Sequence, residues 1–582
     1  MSTRLERRAY RLAEKQHARD QHQDSSSDEG EQDGKPAGGY DSTPLHPSGQ
    51  TSYVVKLTFH RATNLPMSDL HGLASDPYLM VKLETPSLPK RHVGDTDILF
   101  RTTTKHCTTD PVWNEHWILG GIPEAGIQLS IKIMDEDRMN HDDHLGDVKV
   151  NLDDIGATEW TDIVDRPFEI SFRHASKRAN LVRAAYTVIH PVRRAISHHH
   201  DKTEEHHREE LYLSIEVLEK MSPDQDVGKA YTIGPCRWFQ HYSPLIGRIA
   251  GTKESSSDTD HDHGQLSEAG PGQRGKGKKD DKKDDNKTER FDFQANEIQF
   301  QGPMPSELYH RYVSFKAFVP GMFRRKGIRG TILNHVLHHQ HASIYQYDKF
   351  TKYGSFDAPS KTGLTAKFLE LAHYDEGGRL FTYVITLDGL MRFTETGKEF
   401  SIDLLSKHTM HADVALFIAW SGEFLIRRLK RPGAKDAEGT HPPDPIPGGP
   451  PKEAPPKDPS YYEAIFDNDS GTYRPNFDVK DHLVKFLEKN LPGLRIVVYN
   501  CTDERLKKIK EKQKEIKRRE GDKRVYVQQH GSDSSSDEDG ISSSDESELD
   551  RRMRAGEGGK ASKGKLERAF DMLQFSKSGK KD

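Results

Sequence analysis

Four long polar stretches interrupt this chain and limit how much of it can fold. They are residues 20–50, 251–290, 431–459 and 530–565, and all are poor in aromatic and branched apolar side chains. Such stretches cannot bury enough apolar area to offset the loss of chain entropy on folding. Of the 582 residues, 33% are hydrophobic and 30% are charged. We therefore predict several folded modules joined by disordered linkers, with no single large core.

Charge and cysteine content limit the classes of protein to which this chain could belong. The chain has 86 basic and 91 acidic residues, a balance that does not indicate nucleic acid binding. Residues 505–524 are basic but lack stacking aromatics, so no nucleic acid partner is expected. Three widely spaced cysteines predict a reducing compartment without a disulfide framework. No stretch approaches the roughly 18 apolar residues of a membrane span, and we predict a cytoplasmic location.

The segment from residue 52 onwards has the pattern of a strand sandwich. Residues 53–59, 77–83, 127–134 and 146–152 alternate apolar with polar side chains, and turn residues separate them. Alternation with period two is typical of strands that bury one face. Several short strands separated by Gly, Pro and Asp turns predict an antiparallel sandwich.

Two loops of this predicted sandwich are rich in carboxylates. The first contains Asp69 and Asp76, and the second contains Asp135, Asp137 and Asp143. Hard cations prefer six to eight oxygen ligands, and flexible loops suit calcium better than magnesium. Five carboxylates at one edge would repel one another strongly unless a cation neutralised them. The alternative is that these aspartates cap turns in solvated loops.

The motifs in these loops resemble those of the C2 domain family. The resemblance depends on SDPY at 75–78, on DPVWNE at 110–115, and on the spacing of Asp135, Asp137 and Gly146. It implies an all-β antiparallel C2 sandwich that binds Ca²⁺ and membranes, with a calcium-independent C2 fold as the alternative. The implied calcium ligands are Asp69, Asp76, Asp135, Asp137 and Asp143.

Residues near the predicted loops are candidates for contact with lipid. Two apolar side chains near the loop tips are suited to shallow insertion, and nearby basic residues are suited to phosphate groups. A solvated strand edge is the alternative for the basic residues. The candidate lipid-binding residues are Leu70, Met139, Lys82, Lys90, Arg91, Arg101 and Lys105.

The carboxyl-terminal half predicts α+β and α/β modules. Residues 290–430 combine aromatic-rich strands with a short helix, and Asp388-Gly389 indicates a hairpin turn. Residues 460–520 predict a small β-α-β module followed by a charged helix. Both segments resemble the carboxyl portion of fungal C2-domain-containing proteins, which implies a fungal lineage and little biochemistry.

The predicted organisation is multidomain, with long disordered linkers and tails. SSSD clusters in acidic surroundings resemble sites of an acidophilic kinase and predict a phosphoprotein, with plain solvated disorder as the alternative. The predicted segments are a tail at 1–51, the C2 domain at 52–218 with a basic insert at about 173–208, a linker at 251–289, an α+β domain at 290–430, a proline-rich linker at 431–459, the β-α-β module at 460–520 and an acidic tail at 521–582.

These observations favour a non-enzymatic protein over an enzyme. No phosphate-binding loop, dinucleotide-binding loop or nucleophile elbow motif occurs, and we assign no catalytic residue. The favoured hypothesis is a calcium-dependent peripheral membrane protein whose C2 domain recruits the carboxyl-terminal body to phosphatidylserine or phosphoinositides. One alternative is a C2 scaffold that binds protein partners without calcium, with the tails as further binding segments. The other is a lipid-directed enzyme with a site near Asp388 and Asp469.

Overall fold

The structure is a computed structural model, and its described residues form two sheet-based units. Predictions for most of the linkers, the tails and the basic insert lie outside those residues. The described residues are 51–67, 75–88, 98–136, 142–157, 159–175, 208–222, 228–242, 294–310, 345, 351–356, 361–396, 418–429, 432, 455–470 and 474–520.

The amino-terminal unit is a sandwich of two antiparallel sheets. One sheet has the strand order β7-β8-β1-β4-β9 and the other has the order β3-β2-β5-β6. The predicted all-β sandwich is confirmed. The strands are β1 Ser52–Thr63, β2 Pro77–Glu84, β3 Ile98–Arg101, β4 Val112–Pro123, β5 Ile127–Asp135, β6 Asp143–Leu152, β7 Ile163–Glu169, β8 Glu210–Lys220 and β9 Tyr231–Gly234.

Apolar and polar side chains alternate along the strands, and the apolar ones form the core between these two sheets. In β5, Leu129, Ile131 and Ile133 are buried, while Lys132 between them is exposed. Successive side chains of a strand point to opposite faces, so one face enters the core and the other meets solvent. Trp117 on β4 is buried in the same core and stacks on Phe100 with ring centroids 5.1 Å apart.

The second unit is built on one eight-stranded sheet. Its strand order is β12-β10-β11-β14-β13-β15-β16-β17. All neighbouring strands are antiparallel except β16 and β17, which are parallel. The strands are β10 Cys236–Tyr242, β11 Gln294–Gln299, β12 Lys352–Phe356, β13 Phe381–Thr386, β14 Leu390–Glu395, β15 Ile418–Arg428, β16 Tyr462–Phe466 and β17 Arg495–Val498.

Helices cover both faces of the eight-stranded sheet. Apolar side chains of α1 and α2 join the large core on one face, together with Phe424 of β15. Leu425, the next residue, points to the other face and packs with Leu506 of α3. The helices are α1 Lys361–Leu371, α2 Lys480–Asn490 and α3 Glu504–Glu520, with 3-10 turns at Ser306–His310, Glu376–Gly378, Pro459–Tyr461 and Phe477–Val479.

The eight-stranded sheet crosses the boundary predicted at residues 431–459. Strand β15 precedes that segment and pairs with β16, which follows it. The segments 290–430 and 460–520 therefore share one sheet rather than forming two modules. Strand β10 also lies in this sheet although it precedes residue 290. Strand pairing joins residues that are distant in sequence, so a polar segment between two strands does not by itself mark a domain boundary.

The two units are joined directly at strands β9 and β10. Strand β9 pairs with β4 in the sandwich, and β10 begins two residues after β9 ends. Thr232 on β9 accepts a hydrogen bond at Oγ1 from Nε1 of Trp117, at 3.1 Å. Arg237 on β10 places Nη2 3.6 Å from Oε2 of Glu115. The eight-stranded sheet therefore starts within contact distance of the sandwich.

Candidate functional site: an acidic rim on the amino-terminal sandwich

Three strand ends of the four-stranded sheet meet at one edge. Pro77, at the start of β2, is opposite Asp135 at the end of β5, and Asp135 is opposite Asp143 at the start of β6. Asp76 precedes β2, and Asp142 precedes β6. Strand register therefore brings aspartates that are distant in sequence to one edge, which we call the acidic rim (Asp76, Asp135, Asp142 and Asp143).

Backbone groups orient two carboxylates of the acidic rim. The backbone N–H of Asp76 donates to Oδ1 of Asp135 at 2.5 Å, and that of Cys107 donates to Oδ1 of Asp76 at 2.7 Å. The N–H of Glu136 donates to the backbone O of Asp76 at 3.0 Å. Nδ1 of His106 lies 3.3 Å from Oδ2 of Asp76. These bonds connect the start of β2 with the end of β5 and hold the side chains of Asp76 and Asp135 in place.

The chemistry of the acidic rim fits a hard cation. Its donors are carboxylate oxygens, the ligands that calcium prefers. Among the described residues, no group of three His, Cys, Asp or Glu side chains is arranged to hold a metal. Asp69 and Asp137, which the sequence adds to the ligand set, lie outside the described residues. Three of the five predicted calcium ligands, Asp76, Asp135 and Asp143, are therefore described, and their role as calcium ligands remains a prediction.

One predicted lipid-binding residue is buried. Arg101 is 6% exposed and lies 3.4 Å from the carboxylate of Glu136, so its charge does not face solvent and this assignment is corrected. Lys82 is partly exposed and pairs with Glu84 at 2.5 Å. Lys105 is partly exposed. The candidates outside the described residues are Leu70, Lys90, Arg91 and Met139.

The sheet brings two further lysines near Lys82 that sequence reasoning missed. Lys82 is opposite Ser130 of β5, which is opposite Lys149 of β6. Lys132 is two residues from Ser130 and therefore shares its face. Both added lysines are exposed, and Leu99, which is opposite Lys82 on β3, is 52% exposed. The alternation in each strand could have assigned these residues to the outer face, but only the register shows that they are neighbours.

Asp388 and Asp469, considered as a second site, bond to separate groups in the second unit. Asp388 accepts a hydrogen bond from the hydroxyl of Thr386 in the β13–β14 turn. Asp469 follows β16 and pairs with Arg474 at 2.6 Å. Each carboxylate has a partner close to it in sequence, which is the arrangement of turn-stabilising residues.

The buried polar group near Asp469 is centred on Asp467. Its Oδ1 accepts hydrogen bonds from the backbone N–H groups of Glu423 at 2.7 Å and Asp469 at 3.0 Å. Its Oδ2 pairs with Lys510 of α3, which also lies 2.7 Å from Oε2 of Glu423. Burial raises the pKa of Asp467 more than Lys510 lowers it, to about 6. These contacts attach α3 to the sheet.

No helix of the described residues is both long enough and apolar enough to cross a bilayer.

Comparison with known proteins identifies the sandwich. The family model described as "C2 domain" matches residues 53–163. Rat synaptotagmin-9 is 34% identical over 123 residues, which are 20% of this chain and 23% of that protein. Human synaptotagmin-10 is 36% identical over 120 residues, which are 20% of this chain and 21% of that protein. The chain thus spans less than a quarter of the length of these curated relatives.

Solved structures of two proteins are also similar to this chain. A C2 domain of plant extended synaptotagmin 1 has 19% sequence identity and a TM-score of 0.17, with 30% of this chain and 94% of that chain covered. Human GIVD cytosolic phospholipase A2 has 18% identity and a TM-score of 0.18 to 0.19 in two structures, with 33% of this chain and 20 to 21% of that chain covered.

Proposed function

Because residues 53–163 form a C2 domain, we propose that this chain is a calcium-dependent phospholipid-binding protein that attaches peripherally to anionic membranes. Phosphatidylserine and phosphoinositides are the proposed lipids, and the cytoplasmic side of membranes is the proposed location. The observation that carries the proposal is the acidic rim, where register and backbone hydrogen bonds bring Asp76, Asp135 and Asp143 to one edge.

The proposed mechanism is electrostatic. Without a cation, the carboxylates of the acidic rim repel anionic headgroups. Bound calcium neutralises them and leaves coordination positions for lipid phosphate or carboxylate oxygens. Exposed Lys132 and Lys149, with partly exposed Lys82, add positive charge on the adjacent sheet face, and each basic residue near an anionic surface contributes about 1 kcal/mol.

The second part of the proposal concerns the eight-stranded sheet. Only one residue, Pro235, separates the last strand of the sandwich from β10. Whatever surface the C2 domain binds, the second unit is therefore carried close to it. We propose that the C2 domain serves as the membrane adaptor for this carboxyl-terminal body.

A calcium-independent protein scaffold is the second candidate function. Oδ1 of Asp76 and Oδ1 of Asp135 already accept backbone hydrogen bonds. The protein itself therefore satisfies part of the hydrogen-bonding capacity of the acidic rim carboxylates. In this case the C2 domain would bind a protein partner, with the serine-rich tails as further binding segments. The experiment below separates the two functions.

The test is co-sedimentation of the full chain with phosphatidylserine liposomes, in calcium and in chelator. We expect wild type to pellet in calcium only. Asp135→Asn removes one rim charge, so we expect it to require at least about tenfold more calcium. Asp153→Asn is the matched control, because this exposed aspartate follows β6 at the opposite end from the acidic rim.

Two outcomes would contradict the calcium proposal. Equal pelleting in calcium and in chelator would mean that the exposed lysines bind the liposomes and that calcium is not required. No pelleting in either buffer would exclude these membranes as the partner and favour the protein scaffold.

A further inference from the structure

One pair of side chains holds both ends of the loop between β5 and β6. The guanidinium carbon of Arg101 lies 3.7 Å from the centroid of the Tyr78 ring. The hydroxyl of Tyr78 donates to Oδ2 of Asp142 at 2.5 Å, and Nη2 of Arg101 lies 3.4 Å from Oε2 of Glu136. Glu136 and Asp142 are the described residues on either side of this loop. The stacked pair therefore bridges the base of the loop.

The Tyr78–Arg101 pair is buried, so its polar groups depend on particular protein partners rather than on water. Tyr78, Arg101 and Glu136 are each 6% exposed. The Thr104 hydroxyl also donates to Glu136, so the carboxylate has two donors. Charged groups removed from water need well-placed partners, because a buried charge without one strongly destabilises the fold. We expect the pair to have one preferred arrangement rather than several.

The two residues that the pair holds adjoin the predicted calcium ligands Asp135 and Asp143, and one of the two, Asp142, itself belongs to the acidic rim. Asp135 immediately precedes Glu136, and Asp143 immediately follows Asp142. Holding each neighbour limits the backbone positions that the adjacent rim aspartate can adopt. In metal sites, groups that orient the ligands in this way contribute to affinity without touching the ion.

The second unit also contacts this pair. Nη1 of Arg237, on β10, donates to the backbone O of Arg101. The Arg237 guanidinium lies 4.4 Å from the ring centroid of Phe100, the residue before Arg101. The eight-stranded sheet therefore packs against the backbone that carries the Arg101 side chain.

We propose that Tyr78 and Arg101 are positioning residues for the acidic rim, and that Arg237 supports them from the second unit. The proposal rests on the proposed function, in which the acidic rim holds calcium. It predicts that calcium affinity depends on side chains that donate no oxygen to the ion, including one outside the C2 domain.

The experiment uses the full chain with Tyr78→Phe, which keeps the aromatic ring over Arg101 and removes only the hydroxyl. Tyr53→Phe is the matched control. Tyr53 is also buried and donates to Gly156 O at 3.2 Å and to a Glu124 carboxylate oxygen at 3.5 Å, at the opposite end of the sandwich. Calorimetry measures the calcium Kd, and hydrogen–deuterium exchange without metal measures the mobility of residues 135–146.

We expect Tyr78→Phe to raise the calcium Kd about tenfold and to accelerate exchange at residues 135–146 before any metal is added. Tyr53→Phe should leave both quantities at the wild-type value. Arg237→Gln should change both in the same direction as Tyr78→Phe. A general loss of stability would accelerate exchange throughout the sandwich in both tyrosine variants.

The outcomes separate this proposal from the proposed function. Wild-type calcium affinity and wild-type exchange in Tyr78→Phe overturn the positioning role. Wild-type values in Arg237→Gln alone overturn the contribution of the second unit. If the wild-type chain binds no calcium, the proposed calcium function fails, while faster local exchange in metal-free Tyr78→Phe still supports the positioning role.

Discussion

A few buried or partly buried charged residues determine how the parts of this molecule are attached. Partly buried Lys510 is the clearest example, because it reaches from α3 to the partly buried carboxylate of Glu423 and the buried carboxylate of Asp467. The Asp467 side chain is fully buried and its pKa is raised to about 6. Its ordinary pKa is 3.8, so between these values the folded chain holds a proton that the unfolded chain has lost. This group therefore makes the fold more stable as the pH falls from 6 towards 3.8.

Replacing Lys510 with methionine tests this attachment. The variant leaves the carboxylates of Glu423 and Asp467 without their cation, and removing one partner of a buried pair costs about 3–5 kcal/mol. We expect this loss at pH 7.5 in urea unfolding. At pH 5 the loss should be smaller, because protonation removes the charge on Asp467. Lys508→Met is the matched control, since Lys508 is exposed on the same helix, and a pH-independent loss would contradict the argument.

The helices depend on close backbone packing as well as on charge. The turn Glu376–Gly378 packs against α3, and a Cβ at Gly378 would meet the backbone O of Gln513 at 2.5 Å. A Cβ at the neighbouring Gly377 would meet only the Arg379 side chain, at 3.7 Å. Both glycines have positive φ, which is +69° at Gly377 and +61° at Gly378. They therefore share the same backbone strain on substitution and differ in contact with α3.

Comparing Gly378→Ala with Gly377→Ala isolates the contact with α3. Each alanine costs about 1–2 kcal/mol because the backbone is left-handed. Gly378→Ala should cost about a further 1–3 kcal/mol, because the added methyl group overpacks the turn against the helix. Urea unfolding measures both variants, and amide exchange shows whether α3 is the element that loosens. Equal losses in the two variants would mean that the helix does not constrain the turn.

At the scale of the whole molecule, one sheet unites segments that the chain separates. β15 pairs with β16 across more than thirty residues of sequence. The aromatic core depends on both strands, because Phe424 of β15 stacks on Phe466 of β16 with ring centroids 5.3 Å apart. We infer that the segment 290–430 does not complete its core without the segment that follows.

Truncation measures this dependence. We compare residues 1–520 with residues 1–432 by amide exchange. The shorter chain lacks β16, β17, α2 and α3, so β13 and β15 should lose most of their protection. The strands of the C2 domain should keep theirs, because they have a separate core. Unchanged protection of β13 in the shorter chain would support two independent modules.

Local patterns in the chain were sufficient for the parts of the fold that depend on near neighbours. Alternation and turn residues predicted the sandwich strands, and the motif at 75–78 together with the spacing of Asp135 and Asp143 indicated the C2 domain. These features are readable because side-chain alternation and turn geometry depend on a few consecutive residues.

Tertiary structure decided which distant groups meet. It buried Arg101 against Glu136 although the residue types alone suggested a solvent-facing cation. It also brought Lys82 and Lys149 to one face and extended one sheet across the predicted boundary. Strand register, ion pairing and burial depend on surfaces supplied by residues far away in sequence. For that physical reason, the patterns within each segment identified the candidate rim but not the side chains that hold it in place.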